Sequence, residues 1–149
     1  MKIAPIDLNQ RPPRSPRVRL GGYVTLPRML DKGRASIAGK AGEFNYNCPL
    51  DQRLTSFAGI DATQLKKQLA RGKSDGEILD WIQHHAKHKR SSVEIAAWSA
   101  AQEQRGPTDL DSRKFFNDLQ AKVAPRRNDV ASWFDLLDID DFVTFGGEA

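Results

Sequence analysis

With a single cysteine, two methionines, two tyrosines and three histidines in 149 residues, the chain lacks the material for several common chemistries. Cys48 has no partner, so no disulfide forms within the chain, and a reducing, cytoplasmic setting is expected. No stretch approaches the length of a membrane span. Met1 to Asp7 contains no long apolar run, so no signal peptide is expected. There is no Walker loop, no Gly-x-Gly-x-x-Gly, no His-Glu-x-x-His and no cysteine pair. Internal repeats are absent, and no spacing in the sequence specifies a reaction.

What is present is a globular composition, 39% hydrophobic and 28% charged, in a chain long enough for one cored domain. Its net charge of +4 is unevenly placed. From Met1 to Lys40 there are nine cations against two anions, whereas from Asp129 onward there are six carboxylates and no Lys or Arg. A basic head and an acidic tail can pair with each other, within one chain or between copies in a homo-oligomer. Otherwise the head faces an outside anion.

Residues 1–25 read as an extended arm. Pro12, Pro13 and Pro16 fix φ and lack a donor, which excludes a helix or central strand and favours a stretched, polyproline-like course. Arg11, Arg14, Arg17 and Arg19 lie along it, and Gly21-Gly22 allows a turn. Thr25 is the expected N-cap of a first helix, with Pro27 in its first turn and Leu26, Leu30, Gly33 and Ile37 on its apolar face. Phe44 and Tyr46 alternate with polar residues, which suggests a short extended piece there.

Start signals then recur. Pro49 follows Asn47-Cys48, and Asp61 precedes Gln64 by three. Ser74 with Glu77 and Ser91 with Glu94 are capping boxes, and Thr108 with Asp111 opens a further helix. A last helix is expected from about Ser132 to Asp141, burying Trp133, Leu136 and Leu137. In the fifth helix, Ile95-Ala96-Ala97-Trp98 is apolar on nearly all sides, which predicts a position between other helices. The expected fold is all-α: a single compact domain over 26–142 of six or seven short helices, with at most one small β element near Tyr46. Residues 143–149 form a loose tail unless Phe145 docks.

Candidate chemistry is sparse. Asp80, His84 and His88 are spaced four apart and can line one helical face, but that face is opposite the core, so a solvated surface is favoured over a metal site. No cofactor is implied. Cys48 at a helix N-terminus would favour a thiolate, but a nucleophile needs a base that spacing does not supply. The arm's arginines can simply wrap the domain and pair with Asp and Glu, and this role carries more weight than a ligand. The functional hypothesis that remains is a binding or interaction protein. In it, Arg17, Arg19, Tyr23, Arg28, Lys32 and Tyr46 surround the glycine turn and hold a small phosphate or carboxylate ligand, or an acidic partner segment. A small enzyme using Asp31, Asp51 or Cys48 beside those arginines is the alternative. Weak nucleic-acid binding through the basic arm ranks below both, because no helix shows a basic stripe interleaved with aromatics.

Asp7-Leu8, the run Arg11-Pro12-Pro13-Arg14-Ser15-Pro16-Arg17, Leu20-Gly21-Gly22-Tyr23 and Leu26-Pro27-Arg28-Met29-Leu30-Asp31-Lys32 resemble a bacterial family known as domain of unknown function 5069. Gly42-Glu43-Phe44, Tyr46, Cys48-Pro49-Leu50-Asp51, Gly72-Lys73-Ser74-Asp75 and Trp81 fit it too, so the resemblance runs to about Trp98. It implies a small cytosolic bacterial protein and brings no reaction, cofactor or partner.

Overall fold

A computed structural model describes residues 3–149; Met1 and Lys2, where the arm is expected to begin, lie outside them. The described residues form a two-stranded hairpin followed by seven helices. The strands are β1 (Arg19–Leu20) and β2 (Tyr23–Val24). The helices are α1 (Leu26–Ile37), α2 (Pro49–Ala58), α3 (Ala62–Ala70), α4 (Asp75–His85), α5 (Ser92–Gln104), α6 (Leu110–Val123) and α7 (Trp133–Thr144). No helix among the described residues is long and apolar enough to cross a membrane.

The β element sits at the glycine pair, not at Tyr46. Arg19 pairs with Val24 and Leu20 with Tyr23, antiparallel, across a two-residue loop in which Gly21 and Gly22 have φ of 58° and 84°. Two successive positive φ values in a two-residue loop match the twist of the flanking strands, and glycine adopts them without a Cβ clash. Tyr46 instead lies in a turn, where Asn47 takes φ 62°. Thr25 is the N-cap residue of α1, and the hairpin explains why its side chain makes no cap bond. The chain leaving β2 must bend sharply, so Thr25 sits at φ 69° with its N–H donated to the Pro16 carbonyl, and its hydroxyl makes no cap bond.

The other start signals act locally. The Ser74–Glu77 and Ser91–Glu94 boxes form in both directions, and Asp61 accepts from the Gln64 N–H. Cys48 precedes Pro49 at the start of α2. The cap of α6 is Asp109, with Ser112 reciprocating, one residue beyond the expected Thr108; a carboxylate reaches the N3 amide as readily as a hydroxyl.

α1 is the axis of the core. Leu26, Met29 and Leu30 pack with Leu54 and Ala58 of α2, Leu65 and Leu69 of α3, and Ile78 and Ile82 of α4. Gly33 lets α3 approach: a Cβ there would stand 2.5 Å from Leu69 Cδ1. Ile37, expected on this face, is exposed because α1 has by then passed the end of the core. α5 does not sit between helices. It docks through Ser99 and Gln102, the Ser99 hydroxyl donating to the Gly22 carbonyl at 2.6 Å and accepting from Val24 N–H at 3.1 Å, while Ala96, Ala97, Ala100 and Ala101 face out. Alanine there reflects helix propensity rather than burial. α6 and α7 form a pair around Phe116 and Phe134. Phe115 is exposed, and Trp133 and Leu137 are only half-buried, since one side of this pair faces solvent. α7 continues past Asp141 to Thr144, and Phe145 stacks on Phe44 with ring centroids 6.3 Å apart.

A candidate ligand recess between the two ends of the chain

The arm lies on the domain, held by its arginines. Arg14 donates to Asp31 from its backbone N–H and its guanidinium, and also to Asp75 at 2.8 Å; Arg34 meets the other oxygen of Asp75 at 2.8 Å. Arg17 bonds Asp138 at 3.0 Å and Asp135, and Ser15 reaches Asp138 at 2.7 Å. Arg19 pairs with Glu103 at 2.9 Å. The basic head and the acidic tail therefore meet within one chain. Burial raises the Asp75 carboxyl, but the two guanidinium groups outweigh that and hold it below its ordinary value of 3.8. A lowered carboxyl contributes stability above the unfolded value and loses it as pH falls through the folded one. Asp75→Asn is thus expected to destabilise by about 1–2 kcal/mol at pH 7, allowing for its partial exposure, and the difference from wild type should shrink as acid takes the pH below the carboxyl's ordinary value. Urea unfolding at neutral and acid pH measures the difference.

The six residues nominated from the sequence divide. Arg17 and Arg19 lie apart, engaged with α7 and α5. Tyr23 is in the core, edge-on to Phe57 and Trp98. Tyr46 packs beside Gly33 and donates to the Ala62 carbonyl at 2.6 Å; burial raises its phenol, aided by Asp51 and Asp61. Arg28 and Lys32 come together. They stand four residues apart on α1, 4% and 3% exposed, and line the same recess of about 600 Å³.

Three segments close this recess. Leu8 and Asn9 come from the arm, Glu43, Phe44, Asn45 and Cys48 from the α1–α2 connection with Leu50 at the start of α2, and Leu137, Asp140, Asp141 and Thr144 from α7, with Phe145 just beyond. Phe44 stacked on Phe145 makes an aromatic wall, and the Arg28 guanidinium lies 5.5 Å from the Phe44 ring centroid. Arg28 donates to Asp141 at 2.7 Å and to the Arg14 carbonyl at 3.2 Å. Burial raises the Asp141 carboxyl against the pull of Arg28, and Asp140 and Asp138 add to the rise. Lys32 forms an ion pair with Asp51, which is fully buried, at 2.9 Å and donates to Cys48 Sγ at 3.1 Å. An ammonium has three N–H groups. The bond to Cys48 and the ion pair with Asp51 occupy at most two, which leaves at least one without a partner among the described residues.

Residues 10–143 match the family described as domain of unknown function (DUF5069). The chain belongs to that family. The match continues well beyond Trp98 and takes in most of the acidic tail, so α6 and α7 of this DUF5069 chain are part of the family's domain. Curated proteins include none that matches it.

The enzyme residues also divide. Asp31 is locked to Arg14, and Asp51 is buried beneath Lys32. Cys48 is half-exposed and lines the recess. No group of three His, Cys, Asp or Glu among the described residues is placed to hold a metal ion. His84 and His85 bond the carbonyls of their own helix, at Asp80 and Trp81.

Sequence reasoning passed over Phe44, Phe145, Asp140 and Asp141 as site residues. One signal was available: Leu137, Asp141 and Thr144 fall at i, i+4 and i+7 and so share one face of α7.

Proposed function

We propose that this DUF5069 chain is a binding protein for a small molecule with an apolar body and an acidic group, carboxylate or phosphate. The observation that carries the reading is the spare N–H of Lys32, a nearly buried ammonium at the wall of a recess of about 600 Å³. Ligand sites are commonly of this size, mostly apolar, with a few placed polar groups. Arg28 stands one turn away and reinforces the positive end, while Phe44, Phe145, Leu50 and Leu137 receive the apolar body. The single thiol suits a reducing compartment such as the cytoplasm.

The alternatives have less support. An acidic partner segment has a counterpart already in α7, whose Asp135, Asp138 and Asp141 take up Arg17 and Arg28. Those same pairs leave little of the arm's charge for a nucleic-acid backbone. For catalysis, the Lys32 ammonium at Cys48 Sγ would favour a thiolate, but among the described residues no His, Asp or Glu bonds Sγ to move a proton in a later step.

Calorimetric titration with 3-phenylpropionate, an aromatic carboxylate, tests the reading. Saturable binding is expected with wild type. None is expected with Leu50→Trp, which fills the recess from its half-buried rim. Equal binding by the two proteins would remove the recess as the site.

A further inference from the structure

Resting on that reading, we infer that the ligand is zwitterionic: a molecule of the α-amino-acid type, with an ammonium, a carboxylate and an apolar side chain. The recess does not hold a simple positive charge. Each of its cations already has a carboxylate, Arg28 having Asp141 at 2.7 Å and Lys32 having Asp51 at 2.9 Å. Two further carboxylates line the same space, Glu43 and Asp140. Neither has a cationic partner among the described residues; the hydrogen bond made by the Asp140 carboxylate is from the Thr144 hydroxyl at 3.4 Å.

A ligand that is only an anion would satisfy Lys32 and add to an existing excess of negative charge. One that is only a cation would satisfy Glu43 or Asp140 and leave the spare Lys32 donor unmet. A ligand carrying both charges answers both groups, whereas each singly charged relative leaves one group unmet and binds more weakly. The ligand's side chain goes to the stacked Phe44 and Phe145 rings, which favour an aromatic or large aliphatic group.

Calorimetric titration of the full chain with L-phenylalanine, 3-phenylpropionate and 2-phenylethylamine separates the possibilities. L-Phenylalanine is expected to bind about tenfold or more tightly than either relative, the scale of one charge-assisted hydrogen bond. In the double variant Glu43→Gln with Asp140→Asn, both on accessible positions, its affinity should fall to that of 3-phenylpropionate, whose own affinity should not fall. If 3-phenylpropionate binds wild type as tightly as L-phenylalanine, the inference is overturned and the acid-binding reading stands. If 2-phenylethylamine binds tightest, both are overturned. If L-phenylalanine does not bind, or if the double variant leaves its advantage intact, the zwitterionic assignment is wrong.

Discussion

Replacing Lys32 by methionine is expected to destabilise the protein by about 3–5 kcal/mol, because the change strands a buried carboxylate. Asp51 is fully buried, and one of its oxygens has no hydrogen-bond partner among the described residues. The other is paired with the Lys32 ammonium at 2.9 Å and accepts from the Asn47 N–H at 2.9 Å. Removing the ammonium leaves that charge with a single backbone donor. Methionine keeps the length of the side chain, so lost packing contributes little. The diagnostic partner is Lys32→Met combined with Asp51→Asn. An amide costs far less than a carboxylate to bury and can still accept from Asn47, so the double variant should be more stable than Lys32→Met alone. Urea midpoints for the wild type and the three variants close the cycle. A loss below about 1 kcal/mol in Lys32→Met would mean that the pair does not hold α2 to α1.

Phe116→Ala should cost a similar amount, about 3–5 kcal/mol. The ring is fully buried, packs edge-on to Trp133 at 5.3 Å and lies under the Arg113 guanidinium at 5.6 Å. It is the main apolar link between α6 and α7, and α7 forms one wall of the recess. The variant should therefore also raise amide exchange through α7 more than through α1, where the core is independent of it. Uniform loss of protection across both helices would show that the α6–α7 pair does not open as a separate unit.

How much of this was legible beforehand depends on the range of the interactions. Caps such as Ser74, Ser91 and Asp61 operate within four residues, so their spacing was enough. Thr25 holds the cap position by the same rule, but its hydroxyl makes no cap bond, because the hairpin before it sets its backbone from outside the helix. Ala96 and Ala97 looked buried because a good helix former and a core residue are indistinguishable in alanine.

The site shows the same divide. Arg28 and Lys32 share a helical face at i and i+4, a local relation. Asp141 reaches Arg28 from 113 residues away, and Phe145 reaches Phe44 across a similar span. Nothing in the local periodicity of either partner announces those meetings. The charge asymmetry between head and tail was the trace they left, and the structure resolves it into ion pairs within one chain.

The most direct measurement on the recess uses its own thiol, since Cys48 lines it and is the only cysteine in the chain. Mass spectrometry follows its alkylation by iodoacetamide with and without saturating 3-phenylpropionate. If the recess beside Lys32 holds the ligand, alkylation slows several-fold when the ligand is bound, and in Leu50→Trp the ligand makes no difference. An unchanged rate in wild-type protein shown to be saturated with ligand would contradict that placement.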